Sequence, residues 1–199
     1  MKIQKRSIII VIVVVIVAGL FGWMFSWQSW KSVPPVNQTR MSMSDDQPTG
    51  SIPTDWKLYS SDTIGFSMYY DPSLTLQEET KTDVRFYKQG PSQRGQTEMY
   101  DGMIVTVRKI DVVGDTQAYI DNQIEQYKDI GSITEPLHDS KLNGISTKEY
   151  GVSGLGDAKI IFVSINNQTL LEVSYMVPDP TNAGFQKTVD LMLSTFKLK

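Results

Sequence analysis

The 199-residue chain has no cysteine and a single histidine, His138. Without cysteine there is no disulfide scaffold, no thiolate nucleophile or thiolate zinc site, no iron–sulfur cluster and no lipid-modified cysteine. A lone histidine removes multi-histidine metal sites and leaves little room for a His-based catalytic triad. Basic charge is not in excess either. Nineteen Lys+Arg against 22 Asp+Glu give a net charge of −3, whereas nucleic-acid binding needs clustered cations that release counterions. No cofactor-binding motif is present.

What the chain does have is one long apolar run. Ile8 to Phe25 is 18 consecutive residues without a charged group. As a helix at about 1.5 Å per residue it reaches roughly 27 Å, close to the hydrocarbon thickness of a bilayer. Lys2, Lys5 and Arg6 precede it, the cationic flank that stays cytoplasmic, and Trp23, Trp27 and Trp30 follow at interfacial spacing. Residues 1–7 are therefore expected as a cytoplasmic basic flank, and 8–28 as a transmembrane signal anchor. The remainder would then lie outside a plasma membrane. A cleaved signal peptide is the alternative, but cleavage after Ala18 would pair it with a bulky Ile16 and strand GLFGWMFSWQSW on a soluble protein. A type IV pilin would need a Gly-Phe cleavage site and a following glutamate that this segment lacks. Ala18 and Gly22 form a small-xxx-small pair that leaves a homodimer open.

Residues 29–52 are rich in Pro, Ser, Thr, Gly, Asn, Gln and Asp. Such a segment cannot bury enough surface to offset its ordering entropy, and it is expected as a flexible linker. The sequon Asn37-Gln38-Thr39 falls here and a second occurs at Asn167-Gln168-Thr169; chance accounts for both. From Pro53 onward the composition is globular, and about 147 residues suffice for a real core. Setting aside Lys2, Lys5 and Arg6 leaves 16 basic residues against 22 acidic, a net of −6 beyond the membrane.

Within 53–199 the pattern predicts strands at Ile64–Tyr70, Val84–Lys88, Met103–Ile110, Ser146–Val152, Ala158–Ile165 and Thr169–Val177. Asn143-Gly144 and Asn166-Asn167 predict two-residue hairpin turns. Asp115 is placed to cap a helix that runs to Ile130 and stops at Gly131. Thr181 or Asn182 is placed to cap a second, in which Phe185, Val189, Met192, Leu193 and Phe196 recur at helical spacing. The order predicts an α+β fold, an antiparallel sheet flanked by helices.

Trp56-Lys-Leu-Tyr59 followed by Gly65-Phe-Ser-Met-Tyr-Tyr-Asp-Pro72 resembles the opening of PsbP-like domains, and Met192-Leu-Ser-Thr-Phe-Lys-Leu198 resembles their closing helix and short strand. Asp71 intervenes where the family joins aromatic to Pro directly. The resemblance covers about 53–199 and implies an α/β/α sandwich. It also implies an accessory or binding role, because the matched residues are structural and none is catalytic.

Candidate chemistry is sparse. His138 in Glu135-Pro-Leu-His-Asp139 is expected in a loop, where it offers at most a weak metal site or the base of a hydrolase. Glu78, Glu79 and Asp83 read as a polar turn without the regular spacing of a calcium loop. Gly151-Val-Ser-Gly-Leu-Gly156 matches neither a nucleotide nor a nucleophile motif and precedes a strand, so it reads as a hairpin connection. Fourteen residues from Gln89 to Gly102 form an unusually long strand connection, and its Arg94, Tyr100 and Asp101 are the candidate partner-binding residues. The resulting expectation is a single-pass membrane protein whose outer domain binds an envelope protein, a surface polymer or a small ligand. An enzyme built on His138 and a carrier holding an apolar ligand between helix and sheet are the alternatives.

Overall fold

The computed structural model describes residues 51–95, 98–154 and 156–199. The expected basic flank, the anchor at 8–28, the Ala18/Gly22 pair, the sequon at Asn37 and nearly all of the linker lie outside the described residues. Among the described residues, no helix is long and apolar enough to cross a membrane.

The chain order is β1 (Lys57–Ser61), β2 (Phe66–Tyr70), β3 (Thr75–Thr80), β4 (Asp83–Gln89), β5 (Gly102–Asp111), α1 (Thr116–Ile130), β6 (Ser132–Leu142), β7 (Ile145–Ser153), β8 (Asp157–Asn166), β9 (Thr169–Met176), α2 (Phe185–Ser194) and β10 (Lys197–Leu198). Two antiparallel sheets result: seven strands in the order β3-β4-β5-β9-β8-β7-β6, and three in the order β1-β2-β10. The fold is α+β.

Strand alternation gives the large sheet two different faces. Phe86, Val105, Val107, Ile161, Val163, Leu171 and Val173 point to one side, where β1, β2 and α2 supply Tyr59, Phe66, Met68, Val189 and Met192, and the link from α2 to β10 supplies Phe196. Phe66 stacks on Phe196 at 5.4 Å, and Tyr59 meets Phe86 edge-on at 5.5 Å. The intervening residues Tyr150, Val152, Ile160, Phe162 and Leu170 point to the other side, against Ile120, Ile124 and Tyr127 of α1. One sheet therefore carries two separate cores.

Local chemistry sets the helix ends. Asp115 caps α1 as expected, its carboxylate accepting the Ala118 N–H at 2.9 Å. Gly131 follows α1 in an extended conformation, φ −164°. Glycine is needed there for space: a Cβ would sit 2.4 Å from the Ser153 carbonyl oxygen. Neither Thr181 nor Asn182 caps α2. Its N-cap is Gly184, and the Asp179 carboxylate, several residues upstream, accepts the N–H groups of Ala183, Gly184 and Phe185.

Three strands escape the apolar pattern. β1 takes in Lys57 to Tyr59 of the Trp56–Tyr59 motif and reaches Ser61, with Tyr59 its one buried residue. β3 occupies Glu78 and Glu79, so these carboxylates belong to a strand and Asp83 begins the next. β6 occupies Ser132–Leu142, so His138 stands in an edge strand rather than a loop. Pro136 and two register shifts mark β6 as an edge, where a missing N–H and bulges are tolerated. The Asn143-Gly144 turn forms with φ +46° and +80°, as the primed hairpin requires. The β8–β9 turn is Asn167-Gln168, one residue later than expected, and Gly151–Ser153, expected in the next connection, end β7, so that residues 154–156 join it to β8, with Leu155 outside the described residues.

Truncating Phe86, which has no exposed surface, to Ala is expected to cost about 3–5 kcal/mol. Val113→Ser, at a fully exposed position, should stay within about 0.5 kcal/mol. Urea unfolding of residues 53–199 checks both.

Candidate functional site

α1 covers only part of its face of the large sheet. Its apolar residues lie over β6 to β9 and the Ile110 end of β5, and among the described residues no helix packs on the same face of β3, β4 and the rest of β5. Register identifies what is left uncovered. Gln77, Arg85, Thr106 and Ser174 are consecutive cross-strand neighbours on β3, β4, β5 and β9. Thr75, Tyr87, Ile104 and Met176 form the adjoining row. Of these, Thr75, Gln77, Arg85, Tyr87 and Ile104 line a cleft of about 660 Å³, with Gln93, Glu98 and Met99 along one wall and Ser73, Lys88 and Gln89 at its rim. Lys88 Nζ donates to the Ser73 hydroxyl at 2.9 Å and has no carboxylate partner among the described residues.

The wall is a folded loop, and Asp101 organises it. Asp101 is fully buried, and its carboxylate accepts from the Ser92 amide at 2.7 Å, the Ser92 hydroxyl at 2.7 Å and the Thr181 hydroxyl at 3.3 Å. The Gln93 side-chain carbonyl accepts the N–H groups of Tyr100 and Asp101, and the Tyr100 hydroxyl donates to the Ser92 carbonyl. A Cβ on Gly90 would lie 2.1 Å from Asp101 Oδ1, so only glycine lets the carboxylate in. Burial alone would raise the Asp101 carboxyl, but hydrogen bonds from Ser92 and Thr181 outweigh it and hold the group below the usual carboxylate range.

The three expected partner-binding residues thus separate. Arg94 is exposed and makes no hydrogen bond or ion pair among the described residues. Tyr100 is 41% exposed, its hydroxyl committed to the loop and its ring accessible. Asp101 cannot touch a partner from its buried position; it shapes the loop that carries the other two. Sequence reading missed the floor, because Gln77, Arg85, Tyr87 and Ile104 become neighbours only through strand register.

A margin of charge lies where α1 stops. Arg108 and Glu172 are cross-strand partners 3.9 Å apart. Burial raises the Glu172 carboxyl, partly offset by the Arg108 guanidinium. Burial raises the Tyr119 and Tyr127 hydroxyls, and Glu172 adds to the effect.

His138 sits at the far edge of the sheet. Its Nε2 is 3.5 Å from Glu135, and Glu135 also pairs with Lys159, which lies 3.4 Å from the buried Glu149. Asp139 turns instead to Lys148 at 3.0 Å. Among the described residues no three His, Asp or Glu side chains converge to hold a metal. Ser153 pairs with Ser132 while His138 pairs with Glu149, so serine and histidine are about 13 Å apart along the strand at roughly 3.3 Å per residue. At that distance His138 cannot act as a base for Ser153. The space between α1 and the sheet is filled by Ile120, Tyr150, Phe162 and Leu170.

No protein-family model and no curated protein matches the chain. Among solved structures, it is similar to the solution structure of cyanobacterial PsbP (CyanoP) from Synechocystis sp. PCC 6803. The TM-score is 0.49 and the identity 12%, over 76% of this chain and 99% of that one. It is also similar to a crystal structure from Bacteroides thetaiotaomicron VPI-5482, with TM-score 0.36 and identity 16%, over 72% of this chain and 48% of that one. Neither likeness assigns a family, ligand or activity to this chain.

Asp101→Asn removes the charged acceptor and should destabilise the domain at pH 7. A depressed folded-state carboxyl contributes stability above its unfolded value, about 3.9, and that contribution is lost as pH falls through the folded value. The variant should therefore approach wild type as pH drops below about 4; parallel stability curves from pH 7 to 3 would contradict the assignment. His138→Ala, which breaks a part-exposed pair, should change stability by no more than about 1 kcal/mol, read from the same curves.

Proposed function

We propose that the chain is a single-pass membrane protein whose extracytoplasmic PsbP-like domain acts non-catalytically, binding an envelope protein, a surface polymer or a small ligand. The observation that carries the reading is the cleft over β3–β5: polar, half-covered, and walled by a loop that displays Arg94 and the Tyr100 ring. Binding sites combine a concave surface with a few fixed polar groups, and Arg and Tyr are frequent anchors of protein contacts. The apolar run at 8–25 supports anchoring, and the Lys/Arg flank supports the orientation. A linker of this length confines the domain to a shell near the membrane, which raises its effective concentration for partners there.

Two measurements test the reading on the intact protein. The chain should remain in the membrane after alkaline extraction, with residues 53–199 open to protease added outside sealed cells. Proximity labelling from the C-terminus should enrich a defined set of envelope components, and Arg94→Ala with Tyr100→Ala should reduce that enrichment. Labelling that follows envelope abundance alone, unchanged in the double variant, would sink the proposal.

A further inference from the structure

The large sheet has two edges, β3 and β6. An edge strand turns the N–H and C=O of every second residue outward, where another strand can pair with them. β6 is guarded against this: Pro136 lacks an N–H, and two register shifts break its ladder. β3 is guarded less. Thr75 to Glu78 pair in unbroken register with Tyr87 to Val84, and the one shift falls beyond them, between Glu78 and Thr80. Thr75, Gln77 and Glu78 are exposed and Leu76 is half-buried. The open edge therefore offers four regular residues beside the cleft.

Register also sets what an added strand would meet. On the face shared with the small sheet, Leu76, Phe86, Val105 and Tyr175 form one cross-strand row, and Glu78, Val84, Val107 and Val173 form the next. The first row stops at Leu76, which packs on the margin of the core, so an apolar side chain beside it would extend that row. The second stops at the Glu78 carboxylate, which accepts the Tyr59 hydroxyl at 3.1 Å and has no cationic partner among the described residues. A Lys or Arg beside Glu78 would form a cross-strand charge pair, whereas a second copy of β3 would bring another Glu78 to the same edge. On the opposite face Thr75 and Gln77 line the cleft and suit polar neighbours. Read antiparallel to β3, the complementary order is cation, polar, apolar, polar. Given the binding role just proposed, we infer that the β3 edge takes up an extended cationic segment of a partner protein by strand addition, with a Lys or Arg beside Glu78 and an apolar residue beside Leu76.

The test is fluorescence anisotropy of the labelled peptide Gly-Ser-Lys-Thr-Ile-Thr-Ser-Gly with the full-length chain in detergent. The peptide should bind, and its version with Glu in place of Lys about fivefold more weakly, because an attractive cross-strand pair becomes a repulsive one. Glu78→Lys, at an exposed position, should reverse that order and favour the Glu peptide. N-methylation of the peptide reports the ladder without touching the protein. Methyl groups on Lys and Ile, or on the two Thr, block alternate N–H groups, and one of the two sets alone should abolish binding. No binding, equal effects of the two methylated peptides, or an order unchanged by Glu78→Lys overturns the inference. A chain that sediments as a dimer and is split by the peptide would give the edge to a second copy, and overturns it too. Proximity labelling with Arg94→Ala and Tyr100→Ala is independent of this peptide, so either reading can fail while the other stands.

Discussion

Everything in this domain depends on strands that are buried on both sides. β5, β9 and β8 form the middle of the large sheet, and successive residues alternate between two cores that share no side chain. Val105, Val107, Leu171 and Val173 serve the side built with β1, β2 and α2. Leu170, Ile160 and Phe162 serve the side built with α1. A slip of one residue in register would exchange the two sets and place the charged Arg108 and Glu172 where Val107 and Val173 pack. Such a double requirement fixes the register of the central strands more firmly than a one-sided sheet could.

The same requirement leaves the cleft. A single 15-residue helix spans about 22 Å at 1.5 Å per residue, and seven strands at about 4.8 Å spacing are wider than one helix can cover. The small sheet and α2 complete the first face. On the second, β3, β4 and part of β5 keep polar and half-buried side chains, because among the described residues nothing apolar packs over them. Residues 90–95 and 98–101 border this opening, and the buried Asp101 ties Ser92 and Thr181 together there without regular structure.

What could be read from the sequence follows from which forces are local. The central strands and both helices announced themselves through apolar periodicity, and Asp115 and Asn143-Gly144 through turn and cap chemistry. β6 did not, because an edge strand with Pro136 and two bulges needs little apolar content and breaks its own alternation. Asp179 was invisible as a cap because it reaches helix α2 across several residues. Of the site, only the loop was legible. Its length flagged it and its composition suggested Arg94 and Tyr100, but nothing local told that Asp101 turns inward or that Gln77, Arg85 and Thr106 share a row.

The three-stranded sheet has a mechanical meaning. β2 pairs with β1 on one side and with β10 on the other, so the first and last strands of the domain flank one common strand. A pull on the chain before Trp56 loads β1 first, and five cross-strand pairs with β2 resist it. The large sheet, with its cleft and loop, lies beyond that load path. The small sheet is therefore placed to take up strain along the chain before it reaches the cleft over β3–β5.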